Sequence, residues 1–261
     1  MAYPLAPTYE KGQRILGLTL HLADVADVHR YISKVIHEGK QAAVLNLNIH
    51  CVHLALKLKW LQDCINSAQL VFCDGDGVRW GAKLLGLAVP TKITYDRWIW
   101  QLAEYCEQRQ HSLFLLGAKP GVSEDAARKL REKFPRLIIK GTHHGYFKHD
   151  GNEEEAVNQI INDSKPDILV VAFGMPLQEK WLMKNARKLN VHVFLNGGAV
   201  LDYASGRAKR APAWMIRANL EWLYRLIQEP KRLFLRYAVD IPYFFIRVVY
   251  EIFTGRPNET K

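Results

Sequence analysis

The chain has 261 residues, of which 49% are hydrophobic and 24% are charged. This composition excludes a disordered, a collagen-like and a disulfide-built protein, and the length allows one large domain or one domain with an appendage. The net charge of +10 predicts a partner or substrate that carries negative charge, such as a phosphorylated small molecule, an anionic lipid or nucleic acid.

Three features predict a cytoplasmic protein that does not span a membrane. The four cysteines have no C-x-x-C spacing, which in a chain of this length favours reduced thiols over a disulfide framework. The first apolar stretch ends at Asp24 without a small-residue cleavage site, so no signal peptide is expected. The most apolar stretch, residues 237–253, contains three charged residues and a proline, whereas a spanning helix needs about 20 apolar residues.

Short aliphatic runs alternate with amphipathic stretches along the first 205 residues. The alternation predicts strands at residues 15–22, 42–48, 70–74, 112–117, 137–141, 167–173 and 191–196. It predicts helices at residues 26–38, 49–58, 78–85, 122–133, 152–163 and 176–188. Strands that are apolar on both faces indicate a doubly wound, mostly parallel, Rossmann-like α/β fold, whose ligands lie beyond the carboxyl ends of the strands.

The alternation stops after Gly206, and three helix-like pieces punctuated by Pro212, Pro230 and Pro242 follow. Residues 206–261 contain 11 basic and 5 acidic residues and ten of the 28 aromatic residues of the chain. Basic helices with interleaved aromatic residues are typical of a peripheral membrane anchor, although a helical cap with a solvated basic rim has the same composition. We therefore expect an α/β catalytic domain at residues 1–205 and a helical, membrane-associating appendage at residues 206–261.

The loop after the third predicted strand, Asp74-Gly75-Asp76-Gly77, carries two carboxylates and two glycines. A carboxylate fixed at a strand end can act as a general base, and glycine lets a ligand approach the backbone closely. Asp74 and Asp76 also form a D-x-D pattern, which suits a divalent metal held by oxygen ligands. A plain Asp-Gly turn explains the same residues without any ligand.

A second loop, residues 117–121, combines Gly117 and Lys119 immediately before a predicted helix. Backbone amides at a helix start and a neighbouring lysine can cradle a phosphate. The acidic first turn of the helix also suits the helix dipole without a ligand. The spacing is not that of the G-x-G-x-x-G fingerprint, which disfavours a nicotinamide-dependent enzyme.

Two more loops follow predicted strands. Gly174 makes a turn and Pro176 is expected at the first position of a helix, which places Gln178 and Glu179 in the first helical turn, facing the crevice. A glutamine there can recognise a sugar hydroxyl or a uracil edge, or it can satisfy the helix end. The last predicted strand ends in residues 196–198, Asn-Gly-Gly, where a ligand could again approach the backbone.

The histidines do not predict a metal site. His50 and His53 lie three residues apart without the H-E-x-x-H pattern, and His143 and His144 have no companion ligand at metal spacing. The sequence also lacks the G-x-S-x-G elbow and the P-loop.

Several motifs occur in one order between residues 15 and 250. They are Asn48, Asp74-Gly75-x-Gly77-Val78, Phe114-Leu-Leu-Gly-Ala-Lys-Pro-Gly121, Gly141-Thr-His-His-Gly-Tyr-Phe147, Gly174-Met-Pro-Leu-Gln-Glu-Lys-Trp181, Gly197-Gly198, Lys209-Arg-Ala-Pro212, Glu221-Trp-Leu-Tyr-Arg-Leu226, Glu229-Pro230, Arg232 and Arg236-Tyr237. Together these motifs resemble the bacterial WecG/TagA/CpsF glycosyltransferases.

The resemblance implies an inverting, metal-independent enzyme without a cofactor. Such an enzyme moves a hexose, an N-acetylhexosamine or its uronate from a UDP-sugar to a polyprenyl-diphosphate-linked saccharide during surface polysaccharide or teichoic acid synthesis. Asp74 matches the proposed general base of the family, and Arg225, Arg232 and Arg236 match its tail arginines, which grip a diphosphate or the membrane. The implied location is the inner face of the cell membrane, with an anionic membrane surface as a partner, no nucleic acid and scope for self-association.

On this basis we expect a substrate site composed of loop residues at the carboxyl ends of the strands. The expected residues are Asn46, Asn48, Gly75, Gly77, Lys92, Asp96, Gly117, Lys119, Gly174, Pro176, Gln178, Glu179, Asn196, Gly197 and Gly198. Three positions depart from the family pattern: Asn46 replaces a more usual Thr, Lys92 lies where an Arg is usual, and Asp76 is acidic where the family usually is not.

Two other functions fit parts of the sequence. A non-catalytic basic protein that binds lipid or nucleic acid would explain the charge and the aromatic residues of the tail alone. A cofactor-binding α/β enzyme such as a dehydrogenase would explain the fold, but it lacks its fingerprint here.

Overall fold

A computed structural model describes residues 4–217 and 220–255 of the chain. The strands among these residues are β1 (Gly12–Ile15), β2 (Leu18–His21), β3 (Ala42–Leu47), β4 (Leu70–Cys73), β5 (Leu113–Gly117), β6 (Ile139–His143), β7 (Ile168–Ala172) and β8 (Val193–Asn196). Six of them form one parallel sheet in the order β4-β3-β8-β7-β5-β6. The predicted doubly wound α/β fold is confirmed.

The helices alternate with these strands and continue beyond them. They are α1 (Val25–His37), α2 (Ile49–Ala55), α3 (Lys59–Ser67), α4 (Asp76–Leu84), α5 (Tyr95–Arg109), α6 (Val122–Lys133), α7 (Gly151–Ser164), α8 (Leu177–Asn185), α9 (Val200–Ala204), α10 (Ala213–Arg217), α11 (Glu221–Gln228) and α12 (Pro230–Thr254). Helices α3, α5 and α9 were not among the predicted helices.

The sheet is buried on both faces, and successive residues of each strand serve opposite sides. Leu115 and Val170 belong to a core shared with α1, α5, α6 and α9, whereas Leu116 and Val171 belong to a core shared with α2, α3, α7, α8 and α12. Each fully buried aliphatic side chain contributes about 1.5–3 kcal/mol. This two-sided burial explains why the strands are apolar runs rather than alternating patterns.

The segment 15–22 was predicted as one strand of the sheet, and this prediction is wrong. The chain turns at Leu16 and Gly17, whose φ angles are 50° and 76°, and β1 and β2 form an antiparallel hairpin of their own. Two successive residues with positive φ produce the tight turn that matches the twist of paired strands. Ile15 and Leu18 flank that turn and are fully buried, so the hairpin covers one core of the domain.

The tail is helical, and its long helix runs through a proline. Pro242 was predicted to separate two pieces, but it lies inside α12. Its ring removes the hydrogen bond to the carbonyl of Ala238. Because Ala238 and Pro242 are both exposed, water can reach that carbonyl, which explains why the helix continues.

One face of α12 packs against α2 and α4. Phe244 is fully buried there, and a Cβ atom on Gly81 would lie 2.4 Å from its ring. Glycine at position 81 therefore allows α12 to approach α4 closely. No described helix carries an apolar stretch long enough to cross a bilayer.

The four cysteines are all buried and none of them forms a disulfide bond. Burial raises the pKa of the Cys64 thiol to about 12, and the pKa of Cys106 is raised for the same reason. These thiols are protonated members of the core at neutral pH, as expected for structural cysteines.

Candidate functional site

A cavity of about 450 Å³ opens between the carboxyl ends of β3 and β4 on one side and helices α11 and α12 on the other. We call it the cleft. Its lining comprises Asn48, Ile49, His50, Asp74, Gly75, Asp76, Gly77, Trp80, Lys92, Thr94, Glu221, Trp222, Arg225, Arg236, Tyr237, Asp240, Ile241 and Phe245. The cleft therefore combines loops of the parallel sheet with one face of the helical tail.

Asp74 follows β4 directly and is fixed by its neighbours on β3. Its backbone amide donates to the carbonyl of Leu47 over 2.9 Å. The side-chain amides of Asn46 and Asn48 both donate to its Oδ2 atom, at 2.7 and 3.3 Å. Asn48 is itself fixed as the N-cap of α2, where its Oδ1 accepts from the amide of Cys51. The carboxylate is thus held rigidly, as a general base requires.

The electrostatic environment of Asp74 favours a basic carboxylate. Burial raises the pKa of Asp74 above its usual value, and the nearby charge of Arg225 and the hydrogen bonds from Asn48 and Asn46 only partly oppose this. Because a raised pKa brings a carboxylate closer to the operating pH, Asp74 accepts a proton more readily than a solvated aspartate would.

Asp76 is neutralised by basic side chains. It begins α4 after Gly75, whose φ of 104° suits glycine, and its two oxygens lie 2.7 Å from Lys92 Nζ and 3.1 Å from an Arg79 guanidinium nitrogen. Lys92 also lies 3.6 Å from Glu221 of α11. The acidic residue at position 76 and the lysine at position 92 are therefore ion-pair partners. Among the described residues, no group of three or more His, Cys, Asp and Glu could hold a metal ion.

Gln178 and Glu179 do not face the crevice as expected, because both are fully buried. Gln178 Oε1 accepts from the backbone amides of Gly174 and Gly198, and its Nε2 donates to Glu179 Oε1. Glu179 Oε1 also accepts from Asn196 Nδ2. The two side chains thus tie the loops after β7 and β8 together, a contact that the sequence did not predict.

Asn196 continues this buried network toward the cleft. Its Oδ1 accepts from the backbone amide of Asn46 over 3.0 Å, and Asn46 in turn binds Asp74. Burial raises the pKa of Glu179, although the hydrogen bonds from Asn196 and Gln178 oppose the rise. A continuous chain of hydrogen bonds therefore connects the loops after β3, β4, β7 and β8, and it stiffens the edge of the sheet that presents Asp74.

The remaining predicted glycine loops lie at the same edge of the sheet but outside the cleft lining. Gly117 ends β5 with a φ of 141°, and a Cβ atom there would lie 2.4 Å from the carbonyl oxygen of Ala172. Lys119 is exposed beside it. Pro176 is the N-cap of α8 rather than its first residue, and Gly197 is buried.

Asp96 is buried and is not part of the cleft lining. Its Oδ2 atom lies 2.8 Å from Arg210 Nε, and its Oδ1 atom has no hydrogen-bond partner in the described part of the chain. Its carboxylate holds the segment before α10, and its charge also contributes to the raised pKa of Asp74. The substrate role of Asp96 stays a prediction.

Two of the three predicted tail arginines line the cleft. Arg225 is exposed there, with its guanidinium 5.0 Å from the centre of the Tyr203 ring. Arg236 Nε lies 3.6 Å from Asp240 Oδ2. The side chain of Arg232 lies outside what the structure describes. The cleft therefore places fixed positive charge opposite the loop of Asp74.

Several cleft residues were not predicted from the sequence. Tyr237, Ile241 and Phe245 follow one another at four-residue spacing and mark a helix face, which is a signal that the sequence contained. His50 and Asp240 contact each other over 2.7 Å but lie 190 residues apart, so no local pattern could have paired them.

A family model described as the glycosyl transferase WecG/TagA/CpsF family matches residues 13–258. An N-acetylglucosaminyldiphosphoundecaprenol N-acetyl-beta-D-mannosaminyltransferase of Bacillus subtilis is 30% identical over 85% of this chain and 84% of its own length. Proteins of the same name from Bacillus spizizenii and Staphylococcus aureus are 30% and 29% identical, over 86% and 73% of this chain and the same shares of their own lengths.

Proposed function

Because the chain belongs to the WecG/TagA/CpsF family of glycosyltransferases, we propose that it transfers N-acetylmannosamine from a UDP-sugar to N-acetylglucosamine on a polyprenyl diphosphate. The names of the relatives supply the sugar and the acceptor. The observation that carries the proposal is the position of Asp74, a partly buried and rigidly held carboxylate that lines a cleft shared with Arg225 and Arg236.

In the proposed reaction Asp74 is the general base. Asn46 and Asn48 both bind Oδ2, which leaves Oδ1 to take the proton of the acceptor hydroxyl. The hydroxyl oxygen attacks the anomeric carbon as the bond from that carbon to the UDP oxygen breaks on the opposite face. One displacement of this kind inverts the configuration and needs no covalent enzyme intermediate.

Negative charge grows on the departing diphosphate during this step. Arg225 and Arg236 supply positive charge in the cleft, and a guanidinium can bind phosphate oxygens through two parallel hydrogen bonds. We assign these arginines to diphosphate binding, so that the tail completes a site whose base belongs to the α/β part. The domain boundary near residue 205 stays a prediction.

The test is an endpoint transfer assay of the full chain with a panel of UDP-sugars and a polyprenyl-diphosphate-linked N-acetylglucosamine acceptor, with and without EDTA. We expect product with UDP-N-acetylmannosamine, unchanged by EDTA. Product with a different UDP-sugar alone would show that the proposed donor is wrong. Loss of turnover in EDTA would show that a divalent metal is required, as the D-x-D pattern of Asp74 and Asp76 allows. UDP binding without product would point to a different acceptor.

We also propose that α12 docks on an anionic membrane surface. Five exposed apolar residues lie along this helix: Leu235, Val239, Ile246, Val249 and Phe253. They follow one another at one-turn or two-turn spacing, so they lie on one face of the helix. We call this row the apolar stripe. The tail also carries a net charge of +6, which favours anionic headgroups beside the stripe.

Vesicle sedimentation tests this docking. We expect the double variant Leu235→Asp and Phe253→Asp to bind phosphatidylglycerol-containing vesicles at least about tenfold more weakly than the parent, since both charges would enter the interface. Ile160→Asp on α7 places the same charge on an exposed apolar residue outside the tail and is the control. Unchanged vesicle binding by the double variant would contradict membrane docking.

A further inference from the structure

His50 and Asp240 meet at the junction of α2 and α12, in the wall of the cleft. His50 Nδ1 lies 2.7 Å from Asp240 Oδ2, and both residues belong to the cleft lining. Asp240 is buried, and its carboxylate also lies 3.6 Å from His53 Nδ1 and 3.6 Å from Arg236 Nε. One carboxylate therefore organises three basic groups at this point of the wall.

The contact with Asp240 fixes the orientation of the His50 ring. A carboxylate at Nδ1 holds a proton on that nitrogen. When the ring carries its second proton, between this carboxylate and a bound anion, Nε2 can donate to the anion as well. The side chain of His50 is 22% exposed although its partner is almost fully buried. Asp240 thus holds the ring at Nδ1, while part of the ring stays accessible from the cleft. A carboxylate partner of this kind fixes the orientation of an imidazole that binds a ligand through its other nitrogen.

The cleft wall contains guanidinium groups beside His50 that can bind an anion, although Asp240 balances part of the charge of Arg236. Lys92 is engaged by Asp76 and Glu221, so its charge is balanced within the protein. Arg225 and Arg236 add two guanidinium groups to the lining that His50 shares. A diphosphate has enough oxygens to accept hydrogen bonds from two guanidiniums and an imidazole together.

We propose that His50 is a further substrate-binding residue, whose imidazolium donates from Nδ1 to Asp240 and from Nε2 to a diphosphate oxygen, and that Asp240 is the positioning residue that holds its ring. The inference rests on the proposed function, because that function puts a diphosphate in the cleft. Both the sugar donor and the lipid-linked acceptor carry this group, and the experiment separates them.

The experiment compares His50→Gln with His53→Gln in the full chain. Both histidines lie on α2 and face Asp240, but His53 is buried and is not part of the cleft lining. Burial lowers the pKa of His53, so its ring is neutral more readily than a solvated imidazole. For each variant we would measure the dissociation constant of inorganic diphosphate by calorimetry, kcat, the KM of each substrate and the thermal midpoint.

We expect His50→Gln to weaken inorganic diphosphate binding about tenfold, because one charge-assisted hydrogen bond is lost. The KM of the substrate whose diphosphate it contacts should rise by a similar factor, while kcat changes less than about threefold. His53→Gln should leave both constants within about twofold of the parent. If the two histidines only joined α2 to α12, both variants would have a lower thermal midpoint. His50→Gln would then show no loss of diphosphate affinity that His53→Gln does not share.

Equal diphosphate affinity in the parent and in His50→Gln would overturn the inference, and so would an equal loss in His53→Gln. Neither result would contradict the proposed transfer reaction, because that reaction is tested by the transfer assay of the parent protein alone. Conversely, a parent that binds diphosphate but transfers no sugar would overturn the proposed function, while the comparison of the two variants would still decide the role of His50.

Discussion

The α/β part and the helical tail each supply one wall of the cleft, but they are held in different ways. On the sheet side, Asp74 is fixed by a buried network that runs through Asn46, Asn196 and Glu179. On the tail side, among the described residues after Gly206, the buried apolar side chains are Met215, Leu233, Phe244 and Val248. The wall that carries the base is rigid, and the wall that carries the arginines has a small core.

The difference indicates a division of labour. A general base must stay within hydrogen-bond reach of one hydroxyl, which a stiff sheet edge ensures. A cleft that admits a long lipid-linked acceptor benefits if its tail wall can move away from its sheet wall. Phe244 and Val248 of the tail belong to one core of the α/β part, and ion pairs such as Lys92 with Glu221 and Arg210 with Asp96 add further contacts. We therefore expect substitutions in the two walls to have separable effects.

The largest effect is expected on the rigid wall. Asp74→Asn should lower kcat by about 10²–10⁴-fold, because the base is removed while its hydrogen-bond partners stay paired with an isosteric amide. The free energy of unfolding at neutral pH should rise. Burial raises the pKa of Asp74 in the folded protein above its value in the unfolded chain. Ionisation of this carboxylate therefore costs stability as the pH rises from the unfolded to the folded pKa, and asparagine avoids this cost.

The pH profile provides the internal control for this prediction. In the parent enzyme, kcat should increase with pH as Asp74 loses its proton, and the residual rate of Asp74→Asn should lack that rise. Asp76→Asn should retain the rise, since its carboxylate is paired with Lys92 and Arg79. An equal loss of activity in both variants, accompanied by sensitivity to EDTA, would show that the two aspartates act together on a metal.

A smaller effect, confined to the other wall, is expected for Phe244→Ala. Removing a fully buried phenylalanine costs about 3–5 kcal/mol, and here the loss falls on the contact of α12 with Gly81 of α4. Hydrogen exchange should show faster opening of α12 while the amides of β7 keep their protection.

Phe253→Ala is the matched control, because Phe253 is 84% exposed on the same helix. It should leave the exchange of α12 unchanged. If Phe244→Ala loosened β7 as much as α12, the two walls would form one cooperative unit and the comparison between them would fail.

The sequence predicted the parts of this molecule that depend on local patterns. The six strands of the sheet were located because buried parallel strands are continuous aliphatic runs, and the loops of Asn48 and Asp74 meet because parallel strands end at one edge. The turn at Leu16 and Gly17 was missed, since the apolar run continues through it. Helix α5 was missed although Trp98, Leu102 and Cys106 repeat at helical spacing on its buried face.

The roles of individual polar residues needed the tertiary structure. Gln178 lies in the first turn of α8 as predicted, but only its distances to Gly174 and Gly198 show that its carbonyl oxygen is used within the protein. The partner of His50 belongs to a helix near the other end of the chain. Local sequence patterns carry no information about such pairs, because they depend on how the tail packs against the sheet.

The smallest effect is expected for Glu221→Gln, which removes one ion pair between the walls. Glu221 lies 3.6 Å from Lys92, and both side chains are more than a fifth exposed, so the pair contributes at most about 1 kcal/mol. At low salt we expect the KM of the acceptor to change less than about fivefold, with kcat unaffected. At about 0.5 M salt the difference from the parent should vanish, since ions screen an exposed pair but not a buried one. A change in KM that persisted in high salt would mean that Glu221 contacts substrate directly, and the tail would then contribute a carboxylate as well as arginines to the site.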